Sequence, residues 1–358
     1  MSESHQRSAK ISPLNFLAEA EAINATLHHN GDEASYVQGL RASAVSLEEK
    51  MASQATDVGH LARDERVRQD AHIDALWGPS LDHILTFTLV AKGAAEWHIG
   101  PGGGNRSNDP RMVPIIGLCA RAIRLCTEVH HLCSGGFPRG ALARARSMYE
   151  VALTSRIIAE HGSPMGSHPD LGDRYLASDA VERYSDARSF NESAPPDERF
   201  QAPDITRWQK ASEDAKDRFG ADLGRPRGWA KPLFPQKKGM IQIPDLEELA
   251  DFSAHRSFYR YANHEVHGTA RGGTLNQYIS NDGTLLHSTG RSHRGLAEPI
   301  SMASVYTLSV LVDLLMDTGD EPSTIASLTV QTLNLASKRL ERMLHIAHEA
   351  AEGEPFVS

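Results

Sequence analysis

Cysteine is scarce in this chain: three in 358 residues, Cys119, Cys126 and Cys133. Read as helix, their spacing puts all three on one stripe, and a seven-residue step rises roughly 10.5 Å, too far for a disulfide. A zinc site would need closer ligands as well. Three reduced thiols point to the cytoplasm. Aromatic residues are also few, at 6%, while Ala, Leu, Glu and Arg are plentiful, a mix that favours helix over strand. Positive charge is in deficit, with 37 basic against 46 acidic side chains and a net charge of −9. That balance speaks against a protein that coats nucleic acid and leaves room only for a local basic groove.

No apolar run is long enough to cross a bilayer comfortably. Ile300 to Met316 is interrupted by Ser301, Ser304, Ser309 and Asp313 and reads as a buried core helix. The opening MSESHQRSAKISP lacks the apolar centre of a signal peptide. The Gly-rich IGPGGGNRSNDP has no strand before it and no Gly-Lys-Ser/Thr ending, so it reads as a linker. There is no dinucleotide fingerprint, no EF-hand loop and no Ser-His-Asp set. No cofactor is expected.

What is present is helical periodicity. Residues 1–13 read as a disordered tail, 14–74 as a helical extension and 75–352 as the principal helical domain. SLEEKMASQATDVGHLARDERVRQD has the charge alternation of an exposed helix, a coiled-coil arm or a flank on the body, with heptads too irregular for a long coiled coil. LWGPSLDHILTFTLVAKGAAEWH reads as a helix with Pro79 near its start. In MVPIIGLCARAIRLCTEVHHLCSGG, Ile115, Leu118, Ala122, Leu125, Val129 and Leu132 form one apolar face. Gly135-Gly136 stops that helix and Pro138 starts the next, giving a helical hairpin at the centre of a bundle. A further helix follows Pro169. Residues 194–244 are proline-rich and predict loop; within them RPRGWAKPLFPQKKG carries five basic residues, a solvated loop or a phosphate-facing lip. DLEELADFSAHRSFYRYANHEVHG predicts one helix ended by Gly268. TLNQYISNDGTLLHST predicts a small β-hairpin near 274–289, and two long helices close the chain.

Two separated motifs carry a resemblance. Arg146, Ser147, Tyr149 and Glu150 form an Arg-Ser-x-x-Glu pattern after a Gly turn. Trp229 in a loop is followed by Tyr259, Arg260, Asn263 and His267-Gly268, with Asn263 where Ser is commoner. Together they resemble an uncharacterised bacterial all-helical family, a domain of unknown function, over roughly residues 75–350. The resemblance implies the fold and no particular activity. A looser similarity is to the HEPN superfamily, helical bundles that often act as metal-independent ribonucleases with an Arg and a His a few residues apart on one helix; Arg260 and His267 fit its permissive end. On a continuous helix Arg256, Arg260, His264 and His267 would share one face.

That face has two readings. Functionally, His267 would be the acid/base of RNA cleavage and Arg260 the phosphate stabiliser, with His264, Arg256, Glu150, Arg146 and Asn263 in support. Structurally, His267 would sit at a helix C-terminus and Arg260 would pair with Glu150, locking two helices. The two histidines of HEVH are three apart instead of the four of a zinc motif, so no metal site is expected. The expectation is an all-α bundle with a small hairpin that forms a homodimer. Its function would be cleavage of RNA or nucleotide binding, as a toxin or phage-defence effector. The alternative is a non-enzymatic helical protein that binds a partner or a ligand and oligomerises.

Overall fold

The computed structural model describes residues 21–23, 33–100, 109–275, 277–279, 283–287, 290–316 and 323–353. The expected tail 1–13, most of the Gly-rich linker and Asn281-Asp282 of the expected turn lie outside them. The chain divides into two compact units, Met1–His72 and Ile73–Ser358. The architecture is all-α.

Helix α1 runs without a break over Glu33–Ile99. The sequence predicts a start near Trp77, but Pro79 sits inside the helix. Proline at that point removes an N–H donor and crowds the carbonyl one turn back, at a cost of about 3 kcal/mol, and the buried side chains around it, Trp77, Leu81 and Ile84, anchor the segment regardless. Trp77 is fully buried and its indole N–H donates to the carbonyl of His293 at 2.8 Å.

In the second unit, α2 (Met112–Ser134) and α3 (Pro138–His161) form the expected hairpin. Ile115, Leu118, Ala122, Leu125 and Val129 are buried on α2, and Leu132 packs half-buried against the same core. Each buried Leu, Ile or Val contributes about 1.5–3 kcal/mol. Gly136 turns the chain at φ 73°, where a Cβ would lie 2.7 Å from the Ile73 side chain and 3.2 Å from the Ser292 carbonyl. Conformation and space both demand glycine there.

Next come α4 (Leu171–Ser193) and α5 (Ala202–Phe219), which pack together. Helix α5 lies in the proline-rich stretch expected to be loop. Its Pro203 occupies the first turn, where a missing N–H costs nothing, and the next proline, Pro226, comes only after the helix has ended. Two short 3₁₀ turns carry the Trp229 loop, pinned when Arg174 of α4 donates to the carbonyls of Phe219 (2.8 Å) and Trp229 (3.3 Å).

The single helix expected over 245–267 is broken. Helix α6 spans Ile243–Leu249, a 3₁₀ turn Ser253–His255, and α7 only Arg256–Asn263. Asp251 at φ 51° lies in the left-handed region and interrupts the helical path between them. A short helix α8 (Ala270–Thr274) follows, capped by Thr269. Near 274–289 the described residues show β1 (Gln277–Ile279) antiparallel to β2 (Leu285–His287), with Tyr278 opposite Leu286.

Helices α9 (Ala297–Met316) and α10 (Thr324–Gly353) complete the unit, with α9 packed against α2, α3 and α10. By length and composition α9 could cross a membrane, yet most of it is buried within the bundle, Asp313 included.

The three cysteines are buried along α2. Burial raises all three thiols, that of Cys119 to about 12, with Asp313 adding to it. The native protein is therefore expected to react with no equivalent of a thiolate-selective disulfide reagent at pH 8, and with three after denaturation. A rapid native reaction would overturn this placement of α2.

Candidate functional site

Helix α3 presents Arg146 and Glu150 one turn apart toward α7. The Arg146 guanidinium approaches the Glu150 carboxylate at 3.1 Å, donates to the Tyr259 hydroxyl at 3.1 Å and to Asn263 Oδ1, and lies over the Tyr259 ring at 5.1 Å. Tyr259 in turn donates to Glu150 at 2.9 Å, and the carboxylate raises its hydroxyl pKa after burial has done most of that work. Four motif residues, Arg146, Glu150, Tyr259 and Asn263, thus converge in one network.

A second network backs onto it. Tyr149 stacks on Tyr259 with ring centres 4.8 Å apart and packs edge-on against Phe252 and Tyr306. Its hydroxyl donates to Glu247 of α6, whose other oxygen accepts from Arg256. Glu247 is 1% exposed, and burial followed by Glu247 pushes the Tyr149 hydroxyl far above its ordinary value. His255 lies against Phe252 and Tyr306, and burial lowers its imidazole pKa. Sequence reasoning missed Glu247 altogether, since a Glu in DLEELADF is indistinguishable from a solvated one.

Arg260 and His267 lie apart from these networks. Both are exposed, and neither makes a side-chain hydrogen bond or ion pair among the described residues. Because α7 ends at Asn263, His267 follows a turn, and the four-residue face of Arg256, Arg260, His264 and His267 does not form on one helix. His264 Nδ1 meets the Thr269 hydroxyl at 3.1 Å, and its carbonyl lies so close to Gly272 that a Cβ there would approach to 2.3 Å. Arg260 does not reach Glu150, whose charge partner is Arg146. Among the described residues no three His, Cys, Asp or Glu side chains gather to hold a metal.

The basic loop is spoken for internally. Arg225 pairs with Asp222 at 3.2 Å, Arg227 donates to the Ile241 carbonyl, Lys231 to those of Phe234 and Lys237, and Lys237 pairs with Asp245 at 2.7 Å. Of its five cations only Lys238 is not engaged in this way, which suits a folded loop better than a phosphate lip.

A cavity of about 570 Å³ opens where the N-termini of α3 and α9, the C-termini of α7 and α10, and β1 meet. Phe137, Arg139, Tyr261, Arg294, Glu298 and His348 are among its walls. Its arginines are already occupied. Arg139 donates to the Tyr261 hydroxyl (2.9 Å) and the Leu275 carbonyl (2.8 Å) and pairs with Glu265 (3.2 Å). Arg294 is held by Glu352 through its carbonyl (3.3 Å) and carboxylate (3.7 Å). Glu298, in the first turn of α9, has no ion pair among the described residues. His348 Nδ1 is buried without a hydrogen-bond partner there.

Residues 112–284 match the model of a family of unknown function, DUF5677. The resemblance to an uncharacterised helical family is real, over a shorter stretch than the 75–350 expected. The DUF5677 match holds Arg146, Glu150, Tyr259, Asn263, Arg260 and His267, together with the Arg139 side of the cavity. Glu298, Arg294 and His348 come from beyond it. No curated protein and no solved structure matches the chain.

Proposed function

We propose that this protein is a helical ligand-binding protein whose cavity takes a small organic molecule bearing a protonated amine. The observation that carries this reading is the charge balance of the cavity wall. Its two guanidiniums are already matched by Glu265 and Glu352, which leaves Glu298 as the carboxylate with charge to spare. Glu298 stands in the first turn of α9. Phe137 and Tyr261 offer aromatic surface to the carbon chain or a cation. Cavities of this size commonly hold small organic ligands, with a few polar groups setting orientation. The Arg146–Glu150–Tyr259–Asn263 network then holds α7 on α3 and so fixes the Tyr261 wall.

The test is thermal unfolding and calorimetric titration with butylamine, putrescine and spermidine, beside butyrate, adenosine monophosphate and a short single-stranded RNA. An amine at a hundred times its Kd should stabilise the wild type by about 2.7 kcal/mol, and Glu298→Gln should abolish that gain while leaving the unliganded melt within about 1 kcal/mol. The reading fails if no amine binds. It is replaced by metal-independent RNA cleavage, as in the HEPN superfamily, if RNA is cut in the presence of chelator and an Arg260→Ala/His267→Ala variant that folds normally does not cut.

A further inference from the structure

Within the first unit, the described part of α1 from 34 to 72 has no buried side chain. A long helix draws little stability from propensity alone and depends on packing an apolar face. Residues 37–61 carry such a face in strict three-and-four spacing: Val37, Leu40, Ala44, Leu47, Met51, Gln54, Val58 and Leu61. Val37, Leu40, Met51 and Val58 are each more than 40% exposed. Seven of these eight seam positions are apolar, which is the signature of a short coiled coil even though the pattern stops at Glu65.

We propose that this face pairs with the same face of a second copy, antiparallel, about a two-fold axis between Met51 and Gln54. Flanking charges choose the orientation. Lys50 and Asp57 sit beside the seam, and the antiparallel arrangement sets Lys50 against the partner's Asp57 and Asp57 against the partner's Lys50. In the parallel arrangement each would face an alanine, because Lys50 would meet the partner's Ala55 and Asp57 the partner's Ala62. Leu47 then packs on the partner's Val58, and Ala44 on the partner's Leu61. Gln54, the polar seam residue, lies next to the axis. Shifting the register by one heptad would set Lys50 against the partner's Lys50, or Asp57 against the partner's Asp57, so the flanking charges hold the pairing in place. The two-fold relation makes the interface self-complementary and closed at two copies.

Light scattering of the full chain at about 20 μM should give twice the mass of one chain. Val58→Asp places a charge in both symmetric halves of the seam and should weaken association at least tenfold, with helicity retained by circular dichroism. Lys50→Asp should weaken it in the same direction, and adding Asp57→Lys should restore it. Orientation is read by mild oxidation of cysteine variants, since the native thiols are buried. Leu47→Cys/Val58→Cys should cross-link efficiently while neither single variant does. A single-chain mass for the wild type overturns the proposal and points to some other cover for the face. Cross-linking by Leu47→Cys alone overturns the antiparallel orientation, and a dimer that persists unchanged in Val58→Asp overturns the seam.

Discussion

Replacing Glu247 with alanine is expected to lower the thermal midpoint by roughly 6–12 °C, the equivalent of about 3 kcal/mol in a unit of this size. The carboxylate is almost wholly buried and accepts from both Tyr149 and Arg256. Removing it strands the Tyr149 hydroxyl, whose ring is enclosed by Phe252, Tyr259 and Tyr306. A buried donor left unpaired costs about 1–3 kcal/mol, and losing the ion pair adds to it, although Arg256 is 40% exposed and recovers part of its hydration. Glu247→Gln keeps an acceptor for Tyr149 and gives up only the charge, so it should cost about half as much. Tyr149→Phe in the Glu247→Ala background should recover part of the loss, because the orphaned hydroxyl is gone. A Glu247→Ala melt within about 1 kcal/mol of the wild type would refute the view that this network fastens α6 and α7 to α3.

The second large effect concerns pH. Burial raises the Asp313 carboxyl from its ordinary value of 3.8 to about 6, despite the opposing pull of Arg156, which donates to it at 2.8 Å. The folded protein therefore holds this proton more tightly than the unfolded chain does. The resulting stabilisation is fully present below pH 3.8 and is lost as pH rises through 6. A gap of about two pH units corresponds to roughly 3 kcal/mol. Asp313→Asn removes the titration while keeping the shape. Its stability should be nearly flat between pH 4 and 7 where the wild type declines, and at pH 7 it should match or exceed the wild type. Arg156 is 28% exposed and retains Glu160 at 3.5 Å, so it is not stranded by the change. Denaturant melts of both proteins across this range decide the matter. Parallel curves would show that Asp313 does not titrate in the folded protein.

Much of the fold was legible in the residues because the features were local. The apolar face of α2, the Gly135-Gly136 turn and the proline that opens α3 each encode their conformation within a few positions. Prolines misled in both directions. Pro203 was read as a breaker although it opens α5, and Pro79 was read as a start although α1 runs through it. The signal in both cases is the same residue, and whether it begins, ends or merely interrupts a hydrogen-bond ladder depends on what is packed around it. The motif residues behaved similarly. Arg146, Glu150 and Asn263 do meet, with Tyr259 joining them, whereas Arg260 and His267 are exposed because the helix assumed to align them stops at Asn263.

By itself the sequence determined the helical class, the central hairpin and the buried cysteine stripe. Each follows from periodicity and turn chemistry, which act over a few residues and are written in them. Only tertiary structure decided that Glu247 is buried beneath Tyr149, that Arg139 and Arg294 are already paired, and that Glu298 and His348 share a cavity. Those outcomes depend on which charges a folded chain brings within hydrogen-bonding distance and which it removes from water. Sequence spacing does not encode either quantity across a separation of fifty residues or more.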